Sequence, residues 1–346
     1  MYRFDSSMDR RSAYRIELMK KNLLILLLIS LAVSCDKVGS ASVSDDLIVF
    51  RFITPEETKA EVTADNISNS SLFVYGNRTD LTNSVSSIVF AKAALTESNG
   101  LWKPDTQRNW ENSSFYEFYG YAYSSVSEGA LTINNQQGTQ ITVTQPPGDY
   151  TKTIDYLSSY RYETTTGTDG NYPVVPLELE HAMAKVSIDL VIAQAMTTLD
   201  KIDIEITLNG IRNSAVMSCT PKLYSAQGGN MWMVSNVAET VATYTKESSI
   251  VRSDSDKDVI MTDFMSFMAI PMTSGQMSGY ELTLSYKVGS EVFERTFPLK
   301  DVTDGWKNGH CVRYVVTVDN SIHLTGTITD FVETDYIEGT VLPDLG

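Results

Sequence analysis

The sequence predicts an all-β protein: two tandem antiparallel β-sandwiches behind an export signal. Three observations predict it. Short runs rich in Val, Ile, Tyr, Phe and Thr recur between clusters of Gly, Asn, Asp and Ser. Many alternate apolar with polar residues, as half-buried strands do; "KIDIEITLNG" (201–210) sets Ile202, Ile204, Ile206 and Leu208 on one face. Few windows sustain a 3.6-residue period, 192–200 being the nearest to a helical turn. The roughly 310 residues behind the signal exceed what one core usually serves, which predicts two domains.

The signal is the stretch "KKNLLILLLISLAVSC". Lys20 and Lys21 form a short basic head, and Leu23 to Leu31 an apolar segment broken only by Ser30. A membrane-crossing helix needs about 20 apolar residues; this run is nearer a dozen, the length of a signal-peptide core. It ends on Cys35 behind Leu31, Ala32, Val33 and Ser34, which resembles a lipobox. Ordinary signal cleavage needs no cysteine, whereas lipoprotein processing makes the thiol its diacylglycerol attachment point. Several acyl chains on Cys35 would anchor the protein firmly, where a single chain holds only marginally. Residues before Met19 do not resemble a basic head, so Met19 is the expected start. The expected organisation is signal and upstream extension (1–34), linker (35–45), first sandwich (46–168) and second sandwich (169–346).

In order, the strand-like runs are "LIVFRFI" (47–53), "SLFVYG" (71–76), "SIVFAK" (87–92), "SFYEFYGYAY" (114–123) and "QITVTQ" (140–145). The polar stretch "YETTTGTDGNYP" (162–173) interrupts them and marks the expected domain boundary. Then come "PLELEHAMAKVSIDLVI" (176–192), "KIDIEITLNG" (201–210), "YELTLSYKVG" (280–289), "EVFERTFPL" (291–299), "CVRYVVTVD" (311–319) and "SIHLTGTITDF" (321–331).

Charge restricts the partners. The chain has 27 basic and 43 acidic residues, net −16. Residues 1–34 hold six of the basic and three of the acidic ones, so the processed chain is near −19. That excludes nucleic acid, whose phosphates demand clustered Lys and Arg. It also disfavours adsorption to anionic lipid, leaving membrane attachment to the acyl anchor. Apart from Cys35 only Cys219 and Cys311 remain; an exported protein permits a disulfide between them, and burial as two thiols fits equally well.

Chemistry-bearing motifs are scarce. His181, His310 and His323 stand apart, with no spacing that suggests zinc, and His181 reads as a structural residue within a strand. No nucleophile elbow, phosphate loop or dinucleotide fingerprint occurs. "RSDSDKD" (252–258) lacks the glycine and closing glutamate of a calcium loop. The reading is therefore a non-enzyme with no cofactor and no metal. "WENSSFYEFYGYAY" (110–123) packs seven aromatic rings into fourteen residues. Its rings either stack on sugars at the surface or, as the better reading, build the core of the first domain.

The order of these segments resembles the fimbrillin and Mfa-like lipoproteins, which build type V pili. The likeness runs through "LIVFRFI", "TKAEVTADNISNSSLFVYG", "FYGYAY" and "PLELEHAMAKVSIDL" to "DGWKNGHCVRYVVTVD" and "IHLTGTITDF". Most telling are H-A-M-A-K-V (181–186) and W-K-N-G-H-x-x-x-Y (306–314); Phe331 stands where the family usually has tryptophan. The resemblance implies a pair of transthyretin-like sandwiches exported as a lipoprotein to the outer-membrane surface. It implies clipping by a trypsin-like protease behind the first strand, and head-to-tail filling of the vacated groove by a neighbouring subunit.

Mapped onto this chain, the strand to be displaced is 47–53, with Leu47, Val49, Phe50 and Phe52 as its apolar residues. The scissile bond is Lys59–Ala60, since Arg51 lies inside the strand. The expected donor strand is the tail "DYIEGTVLPDLG" (335–346), with Tyr336, Val341 and Leu342 as its apolar residues. Expected partners are other pilus subunits, the membrane through the lipid, and a host or partner-cell surface glycan or protein. The alternative is a stand-alone glycan-binding outer-membrane lipoprotein that keeps its first strand and turns Trp102, Trp110 or Trp232 to solvent.

Overall fold

The computed structural model describes residues 46–53, 70–124, 130–135, 138–196, 201–220, 223, 231–251, 258–319 and 321–330. Every regular element among them is a β-strand or a single 3-10 turn. Long alternating apolar runs with turn residues between them leave little else to form.

Eight strands form the first sheet: β1 (Phe50–Ile53), β2 (Ser70–Asp80), β3 (Ser86–Ser98), β4 (Leu101–Pro104), β5 (Ser114–Ser124), and, beyond a separate hairpin, β8 (Tyr156–Ser159), β9 (Tyr162–Thr165) and β10 (Val175–His181). The intervening hairpin is β6 (Ala130–Ile133) and β7 (Gln140–Thr144). The first sheet runs β2-β3-β4-β1-β10-β8-β5-β9, and β2 also pairs with β5. Seven strands therefore close into a ring, with β9 appended to β5. The predicted first sandwich is instead a barrel-like ring, which removes free edges. Its physical origin is β2, whose eleven residues pair along β5 on one side and β3 on the other.

The aromatic-rich strands of this ring are buried on both faces. Leu72 and Val74 of β2, with Tyr116, Phe118 and Ala122 of β5, face the ring interior together with Ile48 and Phe50. Phe73 and Tyr75, with Tyr119 and Tyr121, face outward into a second, larger core. Such strands lose their alternation and read as unbroken apolar runs.

A four-stranded sheet covers that outward face. It places β7 beside β13 (Ser214–Thr220), with β6 and β14 (Met231–Val237) outermost. Trp232 meets Tyr156 edge to face at 5.6 Å and donates its indole N–H to Ser158 Oγ at 2.7 Å.

The remaining strands form two four-stranded sheets. One orders β16 (Val259–Ala269), β11 (Ala184–Ile192), β21 (His310–Val318) and β22 (Ile322–Asp330). The other orders β15 (Val241–Val251), β12 (Lys201–Arg212), β18 (Glu281–Val288) and β19 (Glu291–Pro298). Val186, Ile188, Leu190 and Ile192 of the first share one core with Ile202, Ile204, Ile206 and Leu208 of the second. The short pair β17 (Met272–Thr273) and β20 (Gly305–Trp306) sits beside them.

Pairing crosses position 168 in both directions. β10, after it, pairs with β1 and β8, while β7, before it, pairs with β13. A division after 168 therefore cuts through two sheets.

Candidate functional site: the seam at the first strand

The first strand, with β4 beside it, is a thinly paired part of the closed ring. Within the ring β1 makes the only parallel pairing, matching Phe50, Arg51, Phe52 and Ile53 with Val175, Pro176, Leu177 and Glu178 of β10. On its other side β1 meets β4 at a single residue pair, Phe50 with Trp102. Residues just before the strand carry the rest of that side. Ile48 N–H donates to the Arg108 carbonyl (2.9 Å), Trp110 N–H to the Asp46 carbonyl (2.8 Å), and Leu47 bridges Asn109. The Val49 carbonyl accepts from Val175 N–H at 3.0 Å.

Side-chain burial is out of proportion to this short pairing. Ile48, Val49 and Phe50 are buried, Phe50 completely, while Leu47 and Phe52 are half-buried. Phe50 is clasped edge-on by Phe90 (5.9 Å) and Phe118 (5.5 Å). Phe52 stands edge to face with Trp102 at 5.6 Å and lies over Gly120. A Cβ at Gly120 would come within 2.9 Å of the Phe52 ring and 2.7 Å of Leu177 Cδ1, so only glycine leaves this depression.

Arg51 exposes its side chain while its backbone is held in the ladder, a poor arrangement for a protease that needs a free extended segment. Cys35, Lys59 and Ala60, and the tail residues Tyr336, Val341 and Leu342, lie outside the described residues. So does most of "RSDSDKD"; its last residue, Asp258, caps the Gln194 amide at 2.8 Å.

The tryptophans do not face solvent as the glycan-binding alternative requires. Trp102, Trp110 and Trp232 are only 7%, 4% and 3% exposed. Each completes a core: Trp110 packs on Tyr116, Phe118 and Tyr172, and Trp232 closes the sheet over Tyr156. Of the seven rings at 110–123, Trp110, Tyr116, Phe118, Tyr119 and Tyr121 are likewise buried.

Cys219 and Cys311 are two buried free thiols, so the open question of their pairing is answered. Burial pushes the Cys219 thiol up to about 12, which keeps it protonated and unreactive. His181 is buried, with Nδ1 3.0 Å from the equally buried Asp155, the structural role expected of it. Among the described residues no three His, Cys, Asp or Glu side chains gather as a metal site would require.

The apolar run 47–53 is legible in the sequence as a strand, but its surroundings are not. β4 is four residues long, and β10 lies some 120 residues downstream. A parallel pairing over that distance leaves no local trace, and Gly120 reads only as a break in an aromatic run.

The first strand is held in the ring by buried side chains and by a short ladder. The profile of the fimbrillin-like family matches residues 58–330. The chain belongs to the fimbrillin-like family. Solved structures similar to this fimbrillin-like chain include a Bacteroides ovatus protein described as a cell adhesion protein. It shares 17% identity, covering 83% of this chain and 98% of that one, with a TM-score of 0.48. Another, described in the same way, is from Bacteroides uniformis, at 14% identity, 84% and 99% coverage and a TM-score of 0.43. A Parabacteroides distasonis fimbrial assembly protein shares 11% identity over 82% of this chain and 96% of that one, with a TM-score of 0.38. No curated protein matches the chain.

Proposed function

We propose that this chain is a surface-exposed, lipid-anchored pilus or adhesin subunit that assembles by exchange of its first strand. Family membership supports the pilus or adhesin class. The observation that carries strand exchange is the seam: β1 is bonded to β4 at one residue pair, yet β1 and the residues just before it fill the ring interior with Phe50 and Ile48.

The energetics favour exchange over loss. Three buried apolar side chains at about 1.5–3 kcal/mol each come to roughly 5–9 kcal/mol, comparable with the whole stability of a domain. Cutting the chain behind β1 severs a covalent link and leaves every one of these contacts in place. A nicked subunit therefore keeps β1 until another strand replaces both the ladder and the side chains. That is strand addition to a sheet, and head-to-tail repetition of it builds a filament.

In this reading Cys35 holds the precursor at the outer membrane and Lys59–Ala60 is the maturation bond. Limited trypsin treatment of the folded precursor is expected to give its first cut after Lys59. Early cutting elsewhere, with Lys59–Ala60 intact, would refute that bond. Cys35→Ala is expected to release the protein from the membrane fraction, and full retention would refute the anchor.

A further inference from the structure

We infer that the groove under β1 accepts a strand from a different kind of subunit, and that the chain's own tail does not fit it. The inference rests on the strand-exchange reading above and specifies its partner. The groove is defined by what fills it now. Side chains at alternate positions point inward, and they are Ile48, Phe50 and Phe52, all large and apolar. The central site is the most enclosed, since Phe50 is fully buried between Phe90 and Phe118. The third is a depression floored by Gly120 and walled by Trp102 and Leu177. A replacement strand running in either direction must therefore place three bulky apolar side chains at i, i+2 and i+4, because strand side chains alternate with a period of two.

The tail from Phe331 to Gly346 reads "FVETDYIEGTVLPDLG". Its frames fail at the central site. Val332, Thr334 and Tyr336 put a small polar residue there, and Ile337, Gly339 and Val341 put nothing there. Val341, Pro343 and Leu345 put a proline there, which cannot donate to a ladder flanked on both sides. Every other frame sets at least one Asp, Glu, Thr or Gly inward. Residues 331–346 of a second copy are thus a poor donor to the groove. The partner is a subunit whose donor segment carries bulky aliphatic or aromatic residues at three alternate positions, with neither glycine nor proline among them.

The test uses the full processed chain with a specific-protease site inserted between residues 54 and 69, nicked and offered three labelled peptides. One spans residues 46–54 of the natural sequence, the second is the same peptide with Phe50→Gly, and the third is the tail 331–346. Only the first is expected to exchange into the nicked protein, with the other two weaker by on the order of 100-fold or more. The nicked chain alone is expected to stay monomeric on sizing. Tail binding as tight as that of the natural peptide, or polymers of the nicked chain alone that vanish on deleting 331–346, would overturn the inference and leave strand exchange standing. Failure of the natural peptide to enter, with β1 shown to have been nicked, would instead overturn strand exchange itself and this inference with it.

Discussion

Phe50 is where the account is most exposed at the scale of single residues. It is fully buried, sits between two other rings and lies on the strand proposed to leave. Phe50→Ala in the intact chain is expected to cost about 3–5 kcal/mol in denaturant unfolding, the range for emptying an aromatic site in a core. Arg51→Ala, one residue along with its side chain in water, is expected to stay within about 0.5 kcal/mol. Equal effects at the two positions would contradict the inward and outward assignment. Gly120→Ala meets Phe52 and Leu177 below normal contact distance and is expected to destabilise by about 1–3 kcal/mol through overpacking.

A second residue-scale prediction concerns the turn between β2 and β3. Asp80 accepts hydrogen bonds from the Thr82 hydroxyl (2.7 Å), the Thr82 amide (2.8 Å) and Asn83 Nδ2 (3.1 Å). The Thr82 hydroxyl, ahead of the Thr82 amide and Arg78, holds the Asp80 carboxyl below the ordinary carboxylate value. A carboxylate whose folded value is lowered contributes its stability above the unfolded value and loses it as pH falls through the folded one. The Thr82 amide resonance is therefore expected to hold through mildly acidic pH and to shift only below the ordinary carboxylate range. A midpoint at or above that range would contradict these bonds.

At the scale of elements, strand content was legible and strand partnership was not. "KIDIEITLNG" alternates because its inner face meets one core and its outer face water, and it is β12, from Lys201 to Arg212. "SFYEFYGYAY" gave no such direction, because β5 lies between two cores and both its faces are apolar. Closure of the ring was hidden for a related reason. It depends on β2 pairing on both edges and on β1 meeting β10 in parallel, and neither is written in any local pattern. Of the site, Leu47, Val49, Phe50 and Phe52 were legible as an apolar strand, whereas Gly120 and Trp102, which shape its pockets, were not. Nicking the chain between residues 54 and 69 is expected to change stability little. Thermal unfolding of the nicked chain is expected to begin within a few degrees of that of the intact chain, since every β1 contact survives the cut. Spontaneous loss of β1 on sizing, with no competing peptide present, would contradict this.

For the whole molecule, the proposed reading makes β1 a temporary occupant of its ring. While β1 stays in place it is paired on both sides, so its position in the ring offers no open edge to another strand. In the proposed exchange that internal strand gives way to one supplied by another subunit, with cleavage as the permissive step. The most direct measurement is the N-terminus and intact mass of the protein recovered from assembled material at the cell surface. The expected result is a chain that begins at Ala60 and carries none of Leu47 to Ile53. A surface-assembled chain that still begins at the lipid-bearing Cys35, with 47–53 intact, would contradict it.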